Sequence, residues 1–162
     1  MTWRRWTIVG GTLAVLGWLA HAVVDKEHVI RSGTRVRLEL RGRDPRSLMQ
    51  GDYMALRYTI GDELSARPAL EDDGLVPLDL GANAVATLAS QSDGADLWIR
   101  YRVRGEFPAG PRVGTDAFYF EEGTGDRYLA ARYAELVVDE RGESVLLALL
   151  DEDFAVLGTA MR

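Results

Sequence analysis

The feature that most constrains this chain is a charge-free apolar stretch near its N-terminus. Residues 6–24 read WTIVGGTLAVLGWLAHAVV, which is 19 residues without Asp, Glu, Lys or Arg. A helix rises about 1.5 Å per residue and the hydrocarbon core of a bilayer is about 30 Å thick, so a helix of this length crosses a membrane once. We therefore predict a transmembrane helix over residues 6–24, in contact with the lipid bilayer.

The charges that flank this stretch predict its orientation. Two arginines stand just before it, and the three residues after it, 25–27, are all charged. Under the positive-inside tendency the basic flank stays in the cytoplasm. This divides the chain into a cytoplasmic N-terminus (1–5), one transmembrane helix (6–24) and an exported domain (25–162).

Two other interpretations of the stretch stay open. A signal peptide ends in a small-x-small site, and Ala20-His21-Ala22 fits that pattern, so cleavage after Ala22 is one alternative. Against it, the apolar run is longer than most signal-peptide cores. A core helix of a water-soluble protein is the other alternative, and it would have to be surrounded on all sides. We predict the retained anchor.

Composition excludes several classes of function. The chain has 162 residues, a formal net charge of -6 and no cysteine. Without its two N-terminal arginines it has 19 − 2 = 17 basic residues against 25 acidic ones, so residues 25–162 carry −8. Nucleic-acid binding needs concentrated basic charge, so we predict no nucleic-acid partner. The lack of cysteine excludes disulfides and thiolate metal sites.

Beyond the apolar stretch, the hydrophobic pattern has a period of two. Such alternation is typical of strands with one buried face, whereas a fully apolar run suits a buried strand. The strands are predicted at residues 35–40, 53–60, 85–90, 97–104, 133–138 and 145–150. Short strands separated by turn signals favour an antiparallel sandwich or a partly open barrel. The predicted fold class is therefore mainly β, with this domain preceded by a single N-terminal transmembrane helix.

Glycine and aspartate mark the turns between these strands. Ser92-Asp93-Gly94 predicts a hairpin that joins residues 85–90 to residues 97–104. A second hairpin is predicted around residues 139–142. Residues 63–77 contain two prolines and an Asp-Asp-Gly sequence, and we expect them to form a surface loop.

The reactive side chains are few. The only histidines, His21 and His28, lie in or beside the apolar stretch, and Lys26 is the sole lysine. A Ser-His-Asp or Ser-Lys arrangement would therefore depend on a residue at the membrane boundary. The acidic clusters 71–73 and 151–153 lack the alternate spacing of a calcium loop and are typical of solvated turns. We predict no catalytic residue, no metal ligand and no cofactor.

The run DPRSLMQGDYMALRY at residues 44–58 resembles the signature of a bacterial protein family named for its motif, GDYxxLxY. The residues that carry the resemblance are Asp44, Pro45, Arg46, Gly51, Asp52, Tyr53, Leu56 and Tyr58, with Glu122 and Gly123 in a second similar stretch. The resemblance implies a small, uncharacterised, membrane-anchored domain that faces the cell envelope, and it brings no catalytic residues. It also implies the bacterial inner membrane as the location, with a periplasmic or extracytoplasmic domain.

The motif has two physical interpretations. As a scaffold, its glycine and aspartate form a turn, Tyr53 points to one face of a strand, and Leu56 and Tyr58 point to the other. As a binding site, fixed Arg and Tyr donors suit a carboxylate or a sugar. The groove predicted on that second interpretation consists of Arg46, Asp52, Tyr53, Arg132 and Tyr133.

Two functions from different classes follow. The first is a membrane-anchored envelope accessory without enzymatic activity, whose β-rich domain contacts an integral membrane protein. The alternative is a small-molecule or glycan-binding module, or a hydrolase that uses paired carboxylates. The hydrolase requires two acids close together, and it fails if Asp52, Glu122 and Asp151 are scattered or individually paired.

Overall fold

The computed structural model describes residues 2–41, 53–67, 70–104, 110–121 and 123–160. It contains an N-terminal helix, α1 (Thr2–Ser32), and a β-rich domain with one further α-helix, α2 (Thr59–Ser65). The strands are β1 (Thr34–Glu39), β2 (Tyr53–Ala55), β3 (Asp73–Leu80), β4 (Ala86–Leu88), β5 (Leu97–Arg104), β6 (Gly110–Val113), β7 (Ala117–Tyr119), β8 (Tyr133–Val138), β9 (Ser144–Leu150) and β10 (Val156–Thr159). Two 3₁₀ turns lie at Ala82–Ala84 and Gly125–Ala130.

Helix α1 is 31 residues long and runs without a break through and beyond the apolar stretch. From Trp3 to Val24 every side chain is exposed. Among the described residues it is the one helix that is long and apolar enough to cross a membrane by length and composition. Its last turns are different, because Val29 is fully buried against the domain. The helix therefore has a bare apolar part and a docked end.

The first four-stranded sheet has the order β1-β8-β9-β10, and every neighbouring pair is antiparallel. The alternation of apolar and polar residues explains why β1 is a strand with one buried face: Val36 and Leu38 are fully buried, and the arginines beside them are half-exposed or exposed. The apolar strand β9 lies between two neighbours and buries most of its second half. The tight turn between β8 and β9 confirms the hairpin predicted there.

The second four-stranded sheet has the order β4-β3-β5-β6, and a two-stranded sheet pairs β2 with β7. The two larger sheets are joined at two points. A parallel bridge links Arg37 to Val85, and the Arg100 amide donates to the Gly142 carbonyl at 2.9 Å. One continuous hydrophobic cluster fills the space between them and includes Leu38, Leu78, Ile99, Phe118, Leu136 and Leu149. The architecture is a mainly β domain of sandwich or partly open barrel type after an N-terminal helix, which confirms the predicted fold class.

Three local predictions are wrong. The segments 85–90 and 97–104 do not form a hairpin, because β3 lies between β4 and β5 and pairs with both. Strand β3 begins inside the predicted surface loop 63–77. Pro77 is tolerated there because its carbonyl accepts from the Ala89 amide at 3.0 Å, so its nitrogen lies on that same edge of β3 and its missing N–H costs no bond to β5. The predicted strand 53–60 ends at residue 55 and gives way to α2, in which Ile60 and Leu64 are buried one turn apart.

Candidate functional site

The motif segment connects two parts of the domain. Strand β2 pairs with β7, with Tyr53 opposite Tyr119 and Ala55 opposite Ala117. The chain then leaves the strand, and the Leu56 amide donates to the Asp116 carbonyl at 2.8 Å. Directly afterwards it joins the end of β1, where the Arg41 amide donates to the Arg57 carbonyl at 2.7 Å. The residues between Tyr53 and Tyr58 therefore tie the two-stranded sheet to the first large sheet.

The second half of the motif belongs to the core. Leu56 and Tyr58 are both buried members of the central cluster. The Tyr58 hydroxyl donates to the Thr115 carbonyl at 3.0 Å, so the one polar atom of this ring has a partner. Burial raises the pKa of the Tyr58 hydroxyl well above its ordinary value, since the phenolate would lose its hydration. This phenol stays protonated at physiological pH, and its role is structural.

The first half of the motif faces solvent. Tyr53 is 37% exposed and Tyr119 is 63% exposed. Their ring centroids are 5.9 Å apart with an interplanar angle of 42°, a tilted aromatic pair. Leu56 and Tyr58 therefore point inward while Tyr53 points outward, although β2 itself ends at Ala55. Tyr119 was not identified from the sequence, because only the pairing of β7 with β2 places it beside the motif.

A small cavity lies next to the motif segment. It has a volume of about 130 Å³ and is lined by residues 55–58, by Gly61, Asp62 and Ser65 of α2, and by residues 110–113 with Asp116. Both carboxylates in its lining have arginine partners, since Asp62 contacts Arg41 through two bonds of 3.0 and 3.1 Å and Asp116 lies 3.3 Å from Arg112. Ligand pockets usually measure about 300–1,000 Å³, so this cavity is too small for a drug-sized ligand.

The residues of the predicted groove lie in different places. Arg132 and Tyr133 are neighbours at the start of β8, where Arg132 lies 3.3 Å from Glu39 and Tyr133 packs on Phe154 at 4.9 Å. Tyr53 lies on the two-stranded sheet. Within the described residues no hydrogen bond, ion pair or ring contact joins it to the other two. Arg46 and Asp52 lie outside the described residues, so the groove stays a prediction.

Of the remaining motif residues, the structure describes only Gly123. Gly123 takes a φ of 80°, which suits glycine at a turn, and the Thr124 amide closes that turn by donating to the Glu121 carbonyl at 3.1 Å. The other motif residues lie outside the described residues, and they include two of the three acids of the proposed hydrolase: Asp44, Pro45, Arg46, Gly51, Asp52 and Glu122.

The acidic clusters are engaged in local structure. One carboxylate oxygen of Asp151 accepts from the amides of Asp153 and Ala155 at 3.0 and 2.8 Å and so shapes the turn between β9 and β10. Asp73 lies 3.6 Å from Arg100. Over the described parts of the chain no group of three or more His, Cys, Asp or Glu side chains is arranged to hold a metal ion.

A charged cluster fixes the end of α1 to the β8–β9 turn. Arg141 contacts Asp25 at 2.9 Å and Asp139 at 3.0 Å, and Lys26 lies 3.8 Å from Glu143. The hydrogen bond from Arg141 lowers the pKa of Asp25. Asp139 itself is nearly buried and accepts from the backbone amides of its own turn. No sequence pattern indicates this cluster, because its helix residues and its turn residues are more than 110 positions apart.

Comparison with protein families identifies the chain. The family model described as GDYXXLXY protein matches residues 15–149, which is most of the sequence, so the chain belongs to that family. This confirms the resemblance drawn from residues 44–58. No curated protein and no solved structure matches the chain.

Proposed function

We propose that this protein is a single-pass, membrane-anchored accessory of the bacterial cell envelope whose β-rich domain contacts another integral membrane protein. The observation that carries the proposal is the bare surface of α1. Its most apolar window has no buried residue, although it contains large side chains such as Trp6, Leu13 and Trp18. Apolar surface of this extent has to be removed from water, and a bilayer does so along residues 6–24 of the helix.

The proposed topology places the N-terminus in the cytoplasm and the domain outside the inner membrane. Arg4 and Arg5 support this orientation, because basic residues that flank a membrane helix stay on the cytoplasmic side. The proposal also includes a retained helix. The alternative, cleavage after Ala22, would cut α1 in its middle and leave its docked end without the membrane-spanning part.

A protein partner is supported by the exposed tyrosine pair. Tyrosine is enriched at protein interfaces because it combines a large apolar ring with a polar tip. The Tyr53 and Tyr119 side chains lie outside the central hydrophobic cluster, which closes without them. The adjacent cavity is small and both carboxylates in its lining are paired with arginines, which favours a contact surface over a ligand pocket at this end of the domain.

Topology can be tested with single cysteines, because the chain has none of its own. The full-length variants Thr2→Cys and Val156→Cys are treated in intact cells with a maleimide that does not cross the inner membrane. We expect Val156→Cys to be labelled and Thr2→Cys to be labelled only after the membrane is permeabilised. Labelling of both, or of Thr2→Cys alone, would contradict the proposed orientation. Recovery of the intact chain in the cytosol would contradict the anchor itself.

The partner can be tested by recovering the full-length chain in mild detergent at native expression. We expect a multi-span membrane protein to be recovered with the wild type and to be lost with Tyr53→Ser and Tyr119→Ser. Val156→Ser is the matched control, because Val156 is an exposed strand residue of another sheet. Recovery of the wild-type chain alone, or equal recovery of the partner with all three variants, would refute the proposal.

A further inference from the structure

The charged cluster at the end of α1 fixes the height of the domain above the membrane. Asp25 and Lys26 directly follow the apolar stretch and hold Arg141 and Glu143 of the β8–β9 turn. The headgroup layer on each side of a bilayer is about 5–7 Å thick, which is the rise of about four helical residues. If residue 24 ends the hydrocarbon span, as the proposed function requires, the β8–β9 turn lies at the level of the headgroups.

The β8–β9 turn also touches the second large sheet. The Gly142 carbonyl accepts from the Arg100 amide at 2.9 Å, and the Arg100 Nε lies 3.0 Å from the Glu143 carboxylate. The approach is close enough that a Cβ on Gly142 would fall 2.4 Å from the Leu75 Cδ2. Strands β3 and β5 therefore meet the turn that α1 holds at the membrane surface.

Two large apolar side chains are exposed on the adjoining face of these strands. Leu75 is opposite Arg100 and Pro77 is opposite Trp98, so all four side chains lie on one face of the sheet. Leu75 is 43% exposed and Trp98 is 38% exposed. Trp98 is two residues from Arg100, about 7 Å along the strand, so it lies beside the residues that contact the β8–β9 turn.

We propose that this face, centred on Leu75 and Trp98, inserts into the headgroup region of the bilayer that anchors α1. Tryptophan favours this region, because its ring is apolar and its N–H can reach water. The inference rests on the anchor of the proposed function. It adds a second membrane contact, made by the β-rich domain, and it thereby determines which face of the domain is closed to a protein partner.

The charges around this face predict that the contact is apolar. Arg141 is paired with Asp25, Lys26 with Glu143, and Arg100 lies between Glu143 and Asp73 at 3.0 and 3.6 Å. These basic side chains already have acidic partners in the same chain, and Arg102, an exposed residue of the same face, lies opposite Asp73 in the strand register. We therefore expect equal insertion into zwitterionic and anionic bilayers and little dependence on salt, whereas attraction by anionic lipid would fade as salt rises.

The test uses the full chain, spin-labelled at a single cysteine, in lipid nanodiscs that contain no other membrane protein. Leu75→Cys is compared with Val156→Cys. Val156 pairs with Leu150, at the far end of β9 from the β8–β9 turn and hence about 20 Å away from it. We expect collisions with a water-soluble nickel chelate to be several-fold rarer at position 75 than at position 156, and collisions with oxygen to be more frequent there. Equal values at the two positions would overturn the inference.

A third label at Leu13→Cys separates this inference from the proposed function. A lipid signature at position 13 together with equal values at positions 75 and 156 refutes only the second contact, whereas an aqueous signature at position 13 refutes the anchor.

A second measurement replaces the label if Leu75→Cys does not fold. When the three α1 tryptophans are changed to Phe, Trp98 is the only tryptophan left, and brominated lipids with shallow bromines should quench it more than lipids with deep bromines. Absence of quenching would again overturn the inference.

Discussion

The change Tyr58→Phe tests whether the last motif residue acts through burial. The ring is buried in the central cluster, and its hydroxyl donates one hydrogen bond, to the Thr115 carbonyl. Burial raises the pKa of this hydroxyl above the value of about 10 that it has in the unfolded chain. The folded protein therefore keeps the proton at a pH at which the unfolded chain releases it. Hence the contribution of this hydroxyl to the free energy of unfolding is fully present below pH 10 and is lost as the pH rises above it.

The magnitude follows from two opposing effects. Removing the hydroxyl costs the hydrogen bond, which is about 1 kcal/mol of unfolding free energy at neutral pH. Above pH 10 the wild type loses about 1.4 kcal/mol per pH unit through Tyr58, which amounts to about 2 kcal/mol at pH 11.5, and the variant does not. The difference between the two proteins should therefore vanish near a pH of about 10.6 and change sign above it.

The assay is denaturant unfolding of the full chain in mild detergent, followed by circular dichroism of the strands, from pH 7 to pH 11.5. Tyr53→Phe is the matched control, because it removes the phenol of the exposed motif tyrosine, and we expect it to follow the wild type throughout. Curves for Tyr58→Phe and the wild type that stay parallel above pH 10 would refute the reasoning. So would an equal neutral-pH cost for the two substitutions.

Three further predictions concern the core and the junction between helix and domain. Leu56→Ala should lower the free energy of unfolding by about 2–5 kcal/mol in the same assay, because it removes a buried side chain from the central cluster. Gly33→Ala should lower it by about 1–3 kcal/mol, since a Cβ there would fall 2.4 Å from the Val137 Cγ1 and 2.7 Å from two backbone oxygens. Gly10→Ala is the control: a Cβ at Gly10 has no atom near it, so this change should leave the free energy of unfolding nearly unaltered. Asp25→Asn should speed amide hydrogen exchange in residues 29–33 at pH 5 relative to the wild type. The hydrogen bond from Arg141 lowers the pKa of Asp25, so its stabilisation is present above the ordinary carboxyl pKa of about 3.9 and is lost as the pH falls through the lower folded value. We therefore expect the difference between the two proteins to shrink as the pH is lowered below about 3.9.

The sequence predicts well where burial and alternation coincide. Residues 35–40 and 133–138 alternate between buried and polar side chains, and both are strands in the structure. Residues 145–150 are apolar throughout, and the successive residues 148–150 are all buried, so both faces are covered at this end of β9. In these segments the burial of apolar side chains accounts for both the sequence pattern and the packing.

The sequence predicts poorly where turn residues occur inside regular structure. Pro77 and the Asp-Asp-Gly sequence indicate a loop, yet β3 passes through Pro77 because its neighbours Val76 and Leu78 are buried. The spacing of Ile60 and Leu64 would have indicated α2, but the alternation that precedes them is a stronger signal for a strand. One part of the candidate site, the pairing of Tyr53 with Tyr119, also cannot be predicted from the sequence. Tyr119 stands 66 positions after Tyr53, and strand pairing alone brings the two rings together.

The two halves of the motif call for different explanations. Leu56 and Tyr58 fill the core and join two sheets, so the fold accounts for them. Tyr53 is exposed and its ring contacts only Tyr119 among the described aromatic side chains, so packing does not account for it. An exposed aromatic residue in a family motif is better explained by a contact with another molecule. The face around Leu75 lies on a different sheet from Tyr53 and, in our proposal, is occupied by lipid. The tyrosine pair then stays available to a protein partner while α1 and the β8–β9 turn hold the domain at a fixed height.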